Sequence, residues 1–246
     1  MAKSTKTERV SNGSKTSYSK DNSKLLRGDP LCDCYEVKEG TITIADSAYA
    51  KCPKVKQITL PNTIKNIGNE AFCGCKQLTN INIPSNTEII GSRAFKGCEQ
   101  LESITLPESL VEIGDFAFKR CTHLHNLQLP SNLMKISAWC FNDCYSLTRV
   151  DIPTTVSVIG YGAFCGCKGL IEVIIPESVE MVDCFAFRDC EQIRTIRILN
   201  PNVELGKFAF SCCSSLQEII VPEGTLDKFK KILPPHKIKK LKEAGM

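Results

Sequence analysis

Apolar and polar residues alternate along this chain in a pattern that repeats every 23 residues. One complete unit, residues 78–100, reads LTNINIPSNTEIIGSRAFKGCEQ. The first part of the unit alternates apolar and polar residues and ends at a proline, which predicts a short strand with one buried face. Copies of this strand run in the same direction, so we expect them to pair as a parallel sheet.

The second part of the unit carries a phenylalanine and a cysteine at fixed positions. The phenylalanines are Phe72, Phe95, Phe118, Phe141, Phe164, Phe187 and Phe210. The cysteines are Cys52, Cys75, Cys98, Cys121, Cys144, Cys167, Cys190 and Cys213. A fixed short period indicates one supersecondary unit stacked on its own copies. The rings are therefore predicted to form a continuous interior spine, and the cysteines to be small buried residues with free thiols.

Small residues hold two further positions of the unit. Glycine precedes the spine at residues 68, 91, 114, 160 and 206, whereas Ser137 and Asp183 fill the same position in the other units. Glycine there suits either a sharp bend or a close approach between backbones. Alanine stands immediately before most of the phenylalanines, with Cys140 as the one small replacement, which predicts a crowded interior position.

The two ends of the chain depart from the repeat, as terminal units of a solenoid do. In the first unit, Ala48 and Tyr49 replace the Ala-Phe pair. After Pro222, the segment TLDKFKKIL predicts an amphipathic helix that ends before Pro234, and a second short basic helix is predicted at about 237–243. The apolar residues expected to cover the last coil are Leu226, Phe229, Ile232 and Leu233. The predicted organisation is a disordered basic tail (1–28), a solenoid (29–222, of which 29–54 is a degenerate first unit) and a helical basic cap (223–246).

The unit LxxIxIPxxVxxIGxxAFxxC, present over roughly residues 37–222, resembles the BspA-type leucine-rich repeat, also called the Treponema pallidum class. The resemblance implies an α/β-type solenoid: a curved, right-handed stack of about eight repeats with a parallel sheet on its concave side and a helical cap. Members of this family are mostly bacterial or protist proteins, many of which bind other proteins at cell surfaces. No catalytic residue belongs to the repeat. The resemblance therefore implies a non-enzymatic scaffold that binds another protein, with a surface adhesin as the alternative.

Residues that alternate with the buried strand positions are predicted to face outward on the concave side. One such column is Thr59, Asn82, Thr105, Gln128, Asp151, Ile174, Arg197 and Ile220. Four neighbouring residues complete the predicted partner-binding set: Arg149, Glu172, Ile171 and Arg194. Exposed isoleucine and arginine side chains are common at the energetic centres of interfaces, which makes the carboxyl-terminal half of this face the stronger candidate.

Charge and hydropathy narrow the choice of partners. The net charge is +4, and the positive charge lies at the ends: seven Lys or Arg against two acids in residues 1–28, and seven Lys against three acids in residues 223–246. Because the solenoid itself carries no basic stripe, a nucleic-acid partner is not predicted. There is no apolar run of the roughly 18 residues that a membrane span needs. The start of the chain does not read as a secretory signal, which favours the cytoplasm, with the cell surface as the alternative.

The candidates for chemistry are few. Cys121, His123 and His125 have the residue types of a zinc site, but alternating side-chain directions keep them from converging on one ion. A metal or redox role for Cys32 and Cys34 stays open. Phosphate-binding glycine loops and Ser/His/Asp sets are missing, so we predict no enzyme activity, no cofactor and no small-molecule substrate. The cysteines predicted to be exposed are Cys73, Cys165, Cys184 and Cys212.

Overall fold

The structure is a computed structural model and describes residues 16–244. The chain winds into about ten turns that stack along one axis, with parallel pairing between equivalent strands of successive turns. The predicted solenoid is therefore confirmed. Helix is confined to the carboxyl-terminal segment, so the remainder of each turn consists of short strands and tight turns.

The strand predicted from the alternating pattern forms what we call the front ladder. Its strands pair in parallel with equivalent residues opposite each other, for example Leu127 with Ile104. They are Cys34–Glu36, Gln57–Thr59, Asn80–Ile81, Ser103–Thr105, Asn126–Gln128, Glu172–Ile175, Thr195–Ile198, Glu218–Val221 and Leu241–Glu243. The ladder is divided into sheets of three, two and four strands. The turn that contains Arg149 and Asp151 lies at the second division and has no regular strand.

A second row of strands, here called the rear ladder, was not predicted. It comprises Lys24–Arg27, Thr43–Ile44, Asn66–Ile67, Ile89–Ile90, Glu112–Ile113, Lys135–Ile136, Val158–Ile159, Met181–Val182 and Glu204–Leu205. Most of these strands are two residues long, and in most of them only one residue is buried, as with Ile67 and Ile90. Two residues are too few to show a period of two in the sequence, which is why the segment reads as a turn.

The predicted phenylalanine spine is confirmed. All seven rings are buried, and neighbouring centroids lie 5.2–5.9 Å apart with interplanar angles of 4–18°. Tyr49 extends the spine into the first unit, 5.5 Å from Phe72. The stacked rings connect the eight successive turns from Tyr49 to Phe210.

The cysteine column lies beside the spine, and all fifteen cysteines of the chain are free. Seven of the eight repeat thiols donate a hydrogen bond to the carbonyl oxygen of the spine residue one turn back, whereas the Cys52 thiol lies 4.0 Å from the Ala50 carbonyl oxygen. These donors are Cys75, Cys98, Cys121, Cys144, Cys167, Cys190 and Cys213, at 3.1–3.3 Å. The column therefore joins adjacent turns by hydrogen bonds as well as by packing.

The glycine position is a place of close backbone approach and not a bend. A Cβ atom added at Gly114 would lie 2.4 Å from the Ser92 backbone nitrogen, and one at Gly206 would lie 2.3 Å from that of Cys184. The φ angles of these glycines fall outside the left-handed region. Where Ser137 takes the position, its hydroxyl donates a 2.5 Å hydrogen bond to the Ile113 carbonyl oxygen, so the polar atom is satisfied.

The amino-terminal boundary differs from the prediction. Residues 16–28 were assigned to a disordered tail, but Ser17–Tyr18 and Lys24–Arg27 form an antiparallel pair, and Lys24–Arg27 joins the rear ladder. Leu25 is completely buried, and Gly28 lies directly against the Tyr49 ring. One buried leucine and a paired backbone order this polar segment, although its composition favours disorder. The rest of the predicted tail, residues 1–15, lies outside the described residues.

The carboxyl-terminal cap is only partly helical. The first predicted helix is present as Leu226–Ile232, but the second is shorter and earlier than expected, Pro235–Ile238. Leu241–Glu243, predicted as helix, is a strand that pairs in parallel with Ile219–Val221 and closes the front ladder, because the backbone edge of the preceding strand is open there. Phe229 and Leu233 are buried as predicted and Leu226 packs against the core, whereas Ile232 is exposed. Neither helix is long or apolar enough to cross a membrane, and no other helix occurs within residues 16–244.

Candidate functional site

The predicted binding residues lie on the outer side of the front ladder. Eleven of the twelve are exposed: Thr59, Asn82, Thr105, Gln128, Arg149, Asp151, Ile171, Glu172, Ile174, Arg194 and Arg197. Ile220 is half-buried. The alternation of apolar and polar residues along the strands therefore predicts which side chains face away from the core.

An ion pair lies at the second division of the front ladder. The Arg149 guanidinium donates from Nε and Nη2 to Asp151 Oδ1, at 3.0 and 2.9 Å. This hydrogen bond, together with the charges of Asp151 and Glu172, raises the pKa of Arg149 above its usual value. Both side chains are largely solvated, so the pair contributes little to stability, but it forms a polar ridge between two parts of the front ladder.

A shallow depression lies on each side of this ridge. The larger, about 430 Å³, is lined by small polar side chains, including Ser103, Thr105, Asn126 and Gln128. The smaller, about 290 Å³, is lined by Ile171, Glu172 and Ile174. The front face thus changes from neutral and polar to apolar and charged across the Arg149–Asp151 pair.

Beyond the ridge, one row of residues is aligned by strand pairing. Arg197 is in register with Ile174 on one side and with Ile220 on the other. Ile171 and Ile174 are 48% and 43% exposed. Neither Arg194 nor Arg197 forms an ion pair within residues 16–244. This row combines exposed apolar area with unpaired guanidinium groups, the composition found at the centre of many interfaces.

The candidates for metal chemistry do not converge. His123 Nδ1 lies 2.7 Å from the Glu99 carbonyl oxygen, and His125 Nδ1 lies 3.1 Å from the His123 carbonyl oxygen. The Cys121 thiol is buried and donates a hydrogen bond to the Phe95 carbonyl oxygen. The Cys32 thiol donates to the Cys34 carbonyl oxygen. No group of three or more His, Cys, Asp or Glu side chains with metal-binding geometry occurs in the described part of the chain.

One predicted cysteine exposure is wrong. Cys212 is exposed, and Cys73 and Cys184 are partly exposed, but Cys165 is buried. The same position in the two flanking turns holds longer side chains, Asn142 and Arg188, and Asn142 Nδ2 donates to the Cys165 carbonyl oxygen. The shorter Cys165 side chain therefore lies between two longer ones in the stack. Burial raises the pKa of Cys165 to about 11, which further lowers its reactivity.

A row of aromatic residues on the outer surface was missed at the level of sequence. Phe116, Trp139, Tyr161, Phe185 and Phe208 have successive centroid distances of 6.3, 5.3, 5.3 and 5.6 Å, and we call this row the outer aromatic column. Basic side chains lie over its rings, including Lys119, 5.2 Å from the Trp139 centroid. The available signal was the residue directly before the spine pair, which is polar in the early units and aromatic in four of the five later ones.

The outer aromatic column is built on strained backbone. Phe116, Trp139, Phe185 and Phe208 all have φ between 55° and 61°, a conformation that costs a non-glycine residue roughly 1–2 kcal/mol. In the intervening turn Gly162 holds this position, and the adjacent Tyr161 supplies the ring. A Cβ atom at Gly162 would lie 2.6 Å from the Trp139 ring. Glycine there makes room for tryptophan.

Comparison with known proteins agrees with this architecture. The BspA type leucine rich repeat region matches residues 42–171 and 134–233, in six copies. The chain is similar to a solved leucine-rich repeat protein from Bacteroides ovatus, with 24% identity and a TM-score of 0.68 over 96% of this chain and 76% of that one. It is also similar to the T. pallidum leucine rich repeat protein, with 23% identity and a TM-score of 0.66 over 93% and 97% of the two chains. At these identities the similarities bear on the fold alone. No curated protein matches the chain.

Proposed function

The chain belongs to the BspA-type leucine-rich repeat family, and from that premise we propose that it is a non-enzymatic scaffold that binds another protein along its front ladder. The observation that carries the proposal is the aligned row Ile174, Arg197 and Ile220, with Ile171 and Arg194 beside it. These side chains offer apolar area and positive charge that no other described residue neutralises. The partner we expect has an apolar surface bordered by carboxylates.

Rigidity supports this role. The binding residues are on hydrogen-bonded strands whose inner faces pack on the core, so the surface is formed before the partner arrives. A preformed surface loses little conformational entropy on binding. The polar depression on the other side of the Arg149–Asp151 ridge would then contact the rim of the partner, where contacts add specificity more than affinity.

The test is affinity capture with the full chain and surface variants. Proteins captured by the wild type are identified by mass spectrometry, and their affinities are then compared with those for Ile174→Asp and Arg197→Ala. Each substitution is expected to weaken binding by about tenfold or more. Met181→Asp, an exposed apolar residue on the rear ladder, and Arg120→Ala are the matched controls. A partner that binds all four variants equally well would contradict a front-ladder site.

We further propose that the protein works in a reducing compartment, in line with the cytoplasmic prediction. Its fifteen cysteines are free, and the repeat thiols point in one direction toward carbonyl oxygens, not toward each other. Parallel thiols in a column do not meet the geometry of a disulfide. The alternative is a cell-surface adhesin. Fractionation of cells, with protease treatment of intact cells, separates the two: digestion from outside would contradict the intracellular proposal.

A further inference from the structure

A cavity of about 310 Å³ lies between the last complete turn of the solenoid and the carboxyl-terminal helices. Its walls are mostly apolar: Leu205, Phe208 and Phe210 on the solenoid side, and Ile232, Leu233 and Pro234 on the helix side. Phe208 is the last ring of the outer aromatic column. No further ring stacks on it, and it is 64% exposed. The cavity therefore opens beside an aromatic ring with one uncovered side.

One charged residue in the wall of this cavity is buried. Lys237 is only 4% exposed, and its ammonium group forms no hydrogen bond and no ion pair with any residue from 16 to 244. Nearby lysines differ in this respect: Lys240 donates to the Leu216 carbonyl oxygen, and Lys242 pairs with Glu218. The side chain is therefore mostly enclosed while its ammonium has no counterion among these residues, and burial lowers the pKa of Lys237 below its usual value.

The lining of the cavity includes lysine side chains but no carboxylate. Lys207 and His236 also line it, both exposed near the mouth, and none of its lining residues is acidic. The site therefore favours a ligand with a negative group. A phosphate would need several donors around it, whereas the buried wall provides a single ammonium. The apolar walls favour a ligand whose remaining part is hydrocarbon.

We propose that this cavity binds a medium-chain fatty acid, with its carboxylate paired to the Lys237 ammonium and its chain lying against Phe208, Leu233 and their apolar neighbours. The fatty acid would supply the missing counterion and would fill the apolar space in one step. This site is separate from the front ladder and does not depend on the protein-binding proposal. The fatty acid is proposed as a bound ligand that the protein does not convert.

The test is calorimetric titration of the full-length protein with decanoate and, separately, with decanol. Decanoate is expected to bind at least about tenfold more tightly than decanol, because only decanoate can form the charge-assisted hydrogen bond. In Lys237→Met, which keeps the length and apolar stem of the side chain, the preference for decanoate should disappear. In Lys239→Met, an exposed lysine two residues away, the preference should be unchanged.

A second pair of variants provides an independent test in case Lys237→Met does not fold. Ile232 lies at the mouth of the cavity and is exposed, so Ile232→Glu should fold normally and repel the carboxylate, while Ile232→Gln should bind decanoate nearly as the wild type does. The absence of decanoate binding to the wild type would overturn the proposal. So would equal binding of decanoate and decanol, or undiminished decanoate affinity in either Lys237→Met or Ile232→Glu.

Discussion

The Cys121 thiol donates a hydrogen bond of 3.2 Å to the carbonyl oxygen of Phe95, one turn back in the stack. Both residues are completely buried, and the same bond recurs in seven turns, from Cys75 to Cys213. The cysteine column therefore has a structural role. It gives a second hydrogen bond to buried carbonyl oxygens that also accept a backbone N–H, as Phe95 does from Cys98, and its side chain is small enough to fit between the spine and the next turn.

Removing one thiol should destabilise the solenoid measurably. Cys121→Ala deletes a buried sulfur and leaves the Phe95 carbonyl oxygen without this donor, which should lower the free energy of unfolding by about 1–3 kcal/mol. Urea unfolding followed by circular dichroism gives the value. The exposed Cys212→Ala should stay within about 0.5 kcal/mol of wild type. Equal stabilities for the two variants would show that the hydrogen bond and packing at Cys121 contribute nothing.

Alkaline pH should destabilise the protein through the same thiols. Burial raises the pKa of Cys75 from its ordinary 9.0 to about 12, so above pH 9 the unfolded chain loses a proton that the folded chain keeps. Stability is full below pH 9 and falls as the pH rises toward 12, by about 1.4 kcal/mol per pH unit for this thiol. Urea unfolding under reducing conditions at pH 8, 9 and 10 measures the slope.

The slope should depend on the number of buried thiols. Cys75→Ala should lose stability above pH 9 less steeply than the wild type, by about 1.4 kcal/mol per pH unit. Identical slopes for Cys75→Ala and wild type would mean that Cys75 ionises in the folded protein as easily as in the unfolded chain.

The spine should be sensitive to truncation in its middle. Phe118 stacks on Phe95 at 5.2 Å and on Phe141 at 5.4 Å, so Phe118→Ala removes two ring contacts and opens a cavity. The expected loss is about 3–5 kcal/mol. The fluorescence of Trp139, the only tryptophan, follows unfolding. Phe116→Ala, two residues away in the partly exposed outer column, should cost clearly less. A Phe118→Ala variant that melts at the wild-type temperature would contradict the spine.

The glycine position should not accept a methyl group. In Gly114→Ala the new Cβ would lie 2.4 Å from the Ser92 nitrogen, and the obstacle is backbone, which cannot rotate away. We expect a loss of at least about 3 kcal/mol in the free energy of unfolding. Gly224→Ala is the comparison, because no atom lies within 4 Å of its added Cβ and only its positive φ opposes the change. Similar losses in both variants would contradict close packing of the turns at Gly114.

The sequence predicted the interior of this protein better than its edges. Phe72, Cys75 and their equivalents recur at a fixed interval, and a position that recurs in every unit has one environment, so its burial follows directly. The rear ladder was missed because a strand such as Asn66–Ile67 shows one buried residue and no alternation. Residues 16–28 are ordered because Leu25 is buried and the backbone is paired, and amino-acid composition reveals neither of these.

The candidate sites were likewise predictable only where a residue pattern recurs. The outward direction of Ile174 and of Arg197 follows from the alternation of apolar and polar residues along the strand to which each belongs. The burial of Cys165 depends on how the flanking turns pack around it, and the cavity at Lys237 depends on where the carboxyl-terminal helices pack. These are relationships between segments whose residues do not recur, so no pattern in the sequence contains them.

The central claim is that the turns stack in register with a period of 23 residues, and deletion of one turn tests it most directly. Removing residues 101–123 brings Leu124 into the position of Leu101 and leaves every column continuous. Circular dichroism and urea unfolding should then show a folded protein with a cooperative transition. Removing residues 101–122 shifts every later column by one position and should abolish folding. An unfolded product of the 23-residue deletion, or equal stability of the two deletions, would contradict the account.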